Sequence, residues 1–405
     1  MACRSATALL GATVALAGCD ADVGSSAFQE RDSAGIQIVE NYRPDWDSGE
    51  EWKVGAEAIL RLGVVDGDPA FQFDGVTGLA RMEDGTIVVA DGGFQEVRFF
   101  DSEGLHSGTF GGPGEGPREF SFLAGLGLGG AGLIWAYDFS LRRITWLDAH
   151  GEMVSLTSLG PEPAMLQPLG ALPDGTFLLK QLWGASQVAE AAETGLRRDA
   201  VAYVHFDAEG SLVDTLGLFP GRELFLTDEN GRGVMSTPPF PRNSVGAVWG
   251  GVMVEGSNET FELVVHTPEG GVGTIIRLPD LDLTLGPDAR EEYILGRQEL
   301  AAPERWPGIR AEIESMPFPE KRPAYGSLLP DDLGNLWVGD WVLFPEVAKG
   351  WKVLDPSGRW MGEMTMPERF FPYAVGVDWI LGVEWDELDV EYVVLYPLIK
   401  EEETG

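Results

Sequence analysis

The chain has 405 residues, with 28 Lys and Arg against 65 Asp and Glu, for a formal charge of −37. So acidic a surface repels phosphate backbones and anionic headgroups, which argues against nucleic acid as a partner and against lipid adsorption by charge alone. Its two cysteines, Cys3 and Cys19, leave no basis for a disulfide framework or a cysteine metal site.

The first 18 residues read as a targeting segment. Arg4 forms a short positive region, and Ala6 to Ala17 is an apolar stretch too short to span a bilayer as a helix. It ends in Leu16-Ala17-Gly18-Cys19, which resembles a bacterial lipobox. That resemblance implies cleavage before Cys19 and lipidation of its thiol. Acyl chains are then the expected anchor. Residues 19–34 are polar with scattered Gly and Ser and read as a flexible lipidated tether.

From residue 35 to 400 the chain reads as one repeated unit. An apolar segment passes through a glycine six times, at Gly78, Gly125, Gly170, Gly246, Gly326 and Gly376. The spacings are 47, 45, 76, 80 and 50 residues. Short strands repeating near this period indicate an all-β propeller, and six copies predict six blades. Glycine suits an inner strand where neighbouring strands crowd an axis. The first copy shows the full unit: Val76 to Met82, an Asp84-Gly85 turn, Thr86 to Ala90, Glu96 to Phe100, and an Asp101 to Gly104 turn. Third-strand segments recur at Ile144–Asp148, Tyr203–Asp207, Leu263–Thr267 and Trp351–Asp355, each followed by a glycine three residues later.

The sixth copy lacks a fourth strand. Ile59 to Gly63 matches Thr109 to Gly111 in its setting, so the N-terminal strand is predicted to complete the ring and cover an open edge. Gly35 to Glu40 is expected to add a strand nearby. Residues 401–405 are a tail.

Gly111 to Phe120, Gly132 to Asp138 and Arg143-Ile144 together resemble an NHL repeat. Thr86 to Asp91 and Asn335 to Asp340 match the second strand of the same pattern, while copies three, four and six diverge. Most of the chain past Cys19 also resembles six-bladed propeller lipoproteins of environmental bacteria. The resemblance implies a fold and an envelope location. It brings no settled activity.

Strand parity separates two faces. Turns between strands one and two, and three and four, are tight. The other connections vary in length, from Gly111–Ser121 to the insertion at residues 279–323, and long loops on a rigid scaffold usually carry function. The insertion holds Pro287-Asp288 before an apolar helical face, and Ile309 to Met316 reads as a second helix. It lies over the mouth or packs outside.

Candidate chemistry is sparse. His106, His150, His205 and His266 fall in turns or third strands, away from the mouth, so no histidine zinc site is expected. Asp91, Asp138 and Asp340 close second strands, where they cap the following loops or ring a calcium ion. Asp74 and Asn243 stand near the place where lactonase-type propellers hold calcium. The Gly111 to Pro117 loop opens no helix, so it is a connection rather than a dinucleotide site.

Residues preceding the inner strands project around the mouth: Asp74, Gln167, Arg242, Asn243, Arg322, Tyr325 and Tyr373. On so acidic a chain, arginines there suit a carboxylate or an acidic glycan, or else pair with neighbouring acids. Trp183, Trp306 and Trp341 lie in long loops, exposed for contact or buried beneath them. The expected function is a lipid-anchored envelope module that binds a protein, peptide or glycan through its long-loop face. No cofactor or catalytic residue is assigned. The alternative is a calcium-dependent propeller hydrolase or lactonase.

Overall fold

The computed structural model describes residues 26–46, 51–182, 194–229, 232–343 and 346–400. The expected signal segment and lipidation site Cys19, together with Trp183 and residues 401–405, lie outside them. The described chain is nearly all β, built from many four-stranded sheets in a propeller-like arrangement. No helix among the described residues is long and apolar enough to cross a membrane.

The first sheet holds Val76–Arg81, Ile87–Asp91, Glu96–Phe100 and His106–Gly111 in sequence order. The second holds Leu123–Leu128, Ile134–Asp138, Arg143–Leu147 and Met153–Ser158. The third runs from Leu166–Ala171 to Leu212–Pro220, the fourth from Val245–Trp249 to Val272–Arg277, and the fifth from Ser327–Pro330 to Trp360–Thr365. The sixth contains Phe370–Val375, Trp379–Trp385 and Glu391–Ile399.

Innermost strands touch in the order first, second, third, fourth, fifth, sixth and back to first. Apolar clusters fill the gaps between sheets in the same order. Leu79, Val89 and Phe100 of the first sheet pack with Leu381, Val383 and Val393 of the sixth. Each such side chain stabilises by about 1.5–3 kcal/mol on burial.

Recurrent Asp-led turns on the tight face follow one hydrogen-bond scheme. Asp101 Oδ1 accepts from the amides of Glu103 and Leu105, and Asp355 Oδ1 from those of Ser357 and Arg359. The glycine three residues on adopts positive φ, +84° at Gly104 and +86° at Gly358, which a β-carbon would strain.

The N-terminal segment departs from expectation in two places. Phe28–Ser33, expected in the tether, is a strand antiparallel to Ile36–Asn41. Arg359 covers Phe28, 4.1 Å from its ring, and pairs with Glu30, which fastens that strand to the fifth sheet. Ile36–Asn41 does not lie beside the sixth sheet; it pairs in parallel with Val272–Arg277 of the fourth, where Ile38 and Val39 are buried. The chain then crosses the fifth sheet, with Trp46 against Gly362. Lys53–Val54 and Leu60–Leu62 both pair antiparallel with Glu391–Ile399.

The recurrent glycines have differing reasons. A β-carbon on Gly78 would sit 2.6 Å from Leu126 N in the next sheet, and one on Gly125 3.1 Å from Pro168 in the sheet after. Gly376 is instead crowded by Trp379 of its own hairpin, and Gly326 has ordinary contact distances only.

The insertion folds as α1 (Ala289–Glu299) and α2 (Trp306–Ser315), with Pro307 in the first turn of α2 where its missing amide hydrogen is harmless. Tyr293 of α1 and Phe318 pack on Phe240, which meets Trp341 at 5.1 Å. The helices therefore brace a long loop of the fifth sheet. Segments read from sequence as plain loops form a small three-stranded sheet of Gly195–Arg197, Leu224–Glu229 and Arg232–Ser236, in which Leu224 and Leu226 are buried at two-residue spacing.

Candidate functional site

The long-loop ends of the fourth, fifth and sixth sheets enclose two adjoining cavities. The larger, of about 1120 Å³, lies over the fifth and sixth sheets. Its apolar lining includes Trp341, Val342, Phe371, Tyr373 and Trp385, and its charged rim includes Arg322, Lys349 and Arg369. The smaller chamber, of about 280 Å³, lies between the fourth and fifth sheets and shares Trp341, Glu346 and Phe371 with the larger.

Local structure explains why these side chains meet. Ser327 and Phe371 come from two inner strands, while Asp340, Trp341 and Glu346 follow the strand Leu336–Gly339 in the chain. Trp341 is half-buried and fixed by Phe240.

Rim charges are mostly paired. Lys349 meets Glu368 at 2.6 Å, which lowers the Glu368 carboxyl, and Arg369 bonds Asp389. Lys352 bridges Asp340 and Glu363 at 3.1 and 3.0 Å. Arg322 is exposed, and its guanidinium has no ion pair or hydrogen bond among the described residues.

The structure distributes the sequence candidates unevenly. Arg322 and Tyr373 line the larger cavity and Asn243 the smaller. Tyr373 is not free to bind: its hydroxyl donates to Val76 O at 2.9 Å, tying the sixth sheet to the first, and burial pushes it up to about 12. Glu391 strengthens the same seam by accepting from Val76 N and Trp385 Nε1. Tyr325 does not reach the mouth. It is fully buried, donates to Glu262 O, accepts from Asn258 N, and is raised far above the usual range by burial. Its apolar ring is held in the core by Phe261, which outweighs the pull of one hydroxyl toward water.

Arg242 pairs with Glu223 at 3.5 Å and Glu259 at 4.0 Å and lines neither cavity. Asp74 is exposed and also lies outside both, where its amide donates to Asp91 Oδ2. Arg143, placed by the repeat at a third-strand start, is buried and donates to the carbonyls of Glu115, Gly116 and Glu119. It holds the Gly111–Phe120 connection in place.

Asp91 and Asp138 cap loops. Asp91 accepts from the amides of Gly93, Phe94 and Asp74, with desolvation raising its carboxyl and Arg98 opposing that. Asp138 accepts from Ser121 and Leu141. Trp306 is half-buried at the start of α2, away from both cavities. His205 bonds Thr176 Oγ1 and His266 lies 3.7 Å from Glu255. Among the described residues no group of three or more His, Cys, Asp or Glu is placed to hold a metal ion.

Sequence reading missed Arg222, Phe371, Trp385 and Glu346. Arg222 and Glu346 lie in loops, Phe371 near a strand start and Trp385 at a strand end, none in a local motif, and only the sheet-to-sheet arrangement brings them together. It also missed Lys180. This lysine is buried on the second strand of the third sheet and donates to Asn243 Oδ1 at 3.3 Å and to Ser244 O. Burial, helped by nearby Arg198, pulls its ammonium down to about 8.

No protein-family model and no curated protein sequence matches the chain. Solved structures do. A putative exported protein of Bacteroides fragilis is similar at a TM-score of 0.50 and 12% identity, over 90% of this chain and 100% of that one. A member of the DUF4221 family from Bacteroides vulgatus is similar at 0.52 and 15%, over 87% and 99%. Virginiamycin B lyase of Staphylococcus aureus is similar at 0.43 and 12%, over 86% and 100%. At these identities the likeness shows a β-propeller-like fold and extends to no activity.

Proposed function

We propose that this chain is a six-bladed propeller of the bacterial envelope that binds a ligand or partner through its long-loop face. Leu60–Leu62 completes the sixth blade, and lipid on Cys19 anchors the molecule outside the cytoplasm. The cyclic contacts of six inner strands support the blade count. The lipobox-like segment and the likeness to an exported protein support the location.

The observation that carries the binding reading is the aromatic-lined cleft of about 1120 Å³ with the exposed Arg322, which makes no ion pair among the described residues, at its rim. Trp341, Phe371 and Trp385 offer a rigid apolar surface, and an exposed arginine that shares only a solvent-screened attraction with Asp282 is available to an incoming acid. A large apolar hollow with few convergent polar groups is the usual form of a binding site.

The test compares capture of partners from solubilised envelope by the intact protein and its variants. Arg322→Ala and Trp341→Ala should lose most of what the parent captures. Arg31→Ala, on an exposed edge strand and paired among the described residues with Glu40, should keep it. Equal capture by all three variants would refute the cleft as the binding site.

A further inference from the structure

The smaller chamber has two chemically different walls. On the fourth-sheet side stand Arg222, Asn243 and Asn258, and on the fifth-sheet side Ser327, Asp340 and Glu346. Asn258 is fully engaged, donating through Nδ2 to Tyr325 O and accepting through Oδ1 from Asn243 N. Asn243 Oδ1 is held by the Lys180 ammonium, so its Nδ2 is left as the donor. Arg222 is exposed, and among the described residues its guanidinium donates only to Thr237 Oγ1, which leaves further donors free.

Behind this wall the charge is positive. Lys180 is buried with only neutral oxygens bonded to it, and its ring neighbour is Tyr203 at 6.0 Å. The acids nearby are engaged elsewhere: Glu259 with Arg198 and Arg242, Glu223 with Arg242, and Glu255 with His266. The opposite wall is acidic. Glu346 is exposed with no side-chain partner among the described residues, and Asp340 Oδ2 accepts no hydrogen bond among them, Oδ1 being held by Lys352.

We propose that the chamber selects a small zwitterion, its anionic group on Arg222 and Asn243, its cationic group on Glu346 and Asp340, and its apolar body against Trp341 and Phe371. This rests on the reading that the long-loop face binds a ligand, and names the ligand class. A free amino acid or short peptide with an apolar side chain has this chemistry, as does the headgroup of an aminophospholipid. A planar guanidinium fork beside an amide donor matches a carboxylate in two-point fashion.

The experiment is calorimetric titration of the mature full-length protein in detergent micelles. The probes are the dipeptide leucyl-phenylalanine, its N-acetyl form, its C-terminal amide and the doubly blocked form. Blocking either end should weaken binding roughly 10- to 100-fold, as for the loss of a hydrogen bond to a charged group. Arg222→Gln should erase the penalty for the amide alone, and Glu346→Gln the penalty for the acetyl group alone. Both residues are exposed, so the fold should survive.

Glycerophosphoethanolamine serves as a second arm. If it binds in place of the dipeptide with the same variant pattern, the zwitterion stands and its source is lipid. Equal affinity of free and doubly blocked dipeptides, or no heat from any free zwitterion at millimolar concentration, overturns the proposal. Loss of envelope capture in the Arg322 and Trp341 variants alongside that result would leave the cleft as a binding site and remove only the zwitterion.

Discussion

Replacing Lys180 with methionine tests whether a buried, uncompensated ammonium lies behind the chamber wall. The folded protein holds this group at about 8, through desolvation and then the charge of Arg198. An unfolded lysine titrates near 10.4. At pH 7 both states carry the proton, so the full penalty of burying the charge is present. Between pH 8 and about 10.4 the folded state releases its proton first, and stability is regained as pH rises. A difference of roughly 2.5 units corresponds to about 3 kcal/mol. Methionine is close in length and cannot titrate, but it leaves Asn243 Oδ1 and Ser244 O without a donor, at about 1–3 kcal/mol. The two effects nearly cancel at pH 7, so parent and variant should be of similar stability there. At pH 10, still below the unfolded lysine's titration, the variant should be the weaker by about 2.5 kcal/mol. Urea unfolding of both proteins at pH 7, 8.5 and 10 measures this gap, and all other titrating groups cancel in the comparison. A gap that stays constant within about 0.5 kcal/mol from pH 7 to 10 would refute the reasoning.

Three further outcomes are expected. Gly78→Ala should cost about 2–3 kcal/mol, because its β-carbon meets backbone of the next sheet at 2.6 Å, whereas Gly326→Ala should cost less than about 1 kcal/mol; chemical denaturation of the pair decides whether crowding between sheets is the cause. Cys19→Ser should move the protein from the washed membrane fraction to the soluble one, and its persistence in membranes would exclude lipid at this residue as the anchor. Calcium or a chelator should shift the melting temperature by no more than about 1 °C, since binding to the folded state alone would raise it; a rise of several degrees with calcium would revive the hydrolase reading.

Much of the architecture was legible because it repeats. Alternating strands, Asp-Gly turns and a glycine near every inner strand are local signals, and six copies reinforce one another. The helices of the insertion were equally local, marked by Pro and acids at one start and an apolar face. Cap roles for Asp91 and Asp138 followed from position in the repeat, since a carboxylate at a strand end reaches the next amides. The N-terminal strands were harder. Ile36–Asn41 reads as a strand in isolation, yet nothing in its residues says that its partner is Val272–Arg277 rather than the C-terminal strands.

The site shows the same division. Strand parity in the sequence led to residues near the starts of inner strands, and three of those named, Asn243, Arg322 and Tyr373, line the cavities. It did not determine which of them would face the opening. Tyr325 precedes the inner strand Ser327–Pro330 and Tyr373 lies within Phe370–Val375 rather than before it, yet both have their hydroxyls drawn into bonds with neighbouring backbone. Arg242 finds Glu223 at 3.5 Å, while Arg322 feels Asp282 only at longer range and makes no ion pair among the described residues. Lys180 and Asn243 are 63 residues apart and meet only because adjacent sheets pack against each other. Strand order is written in local periodicity, whereas the pairing of charges and the shape of a cavity depend on distances between sheets that no local pattern encodes.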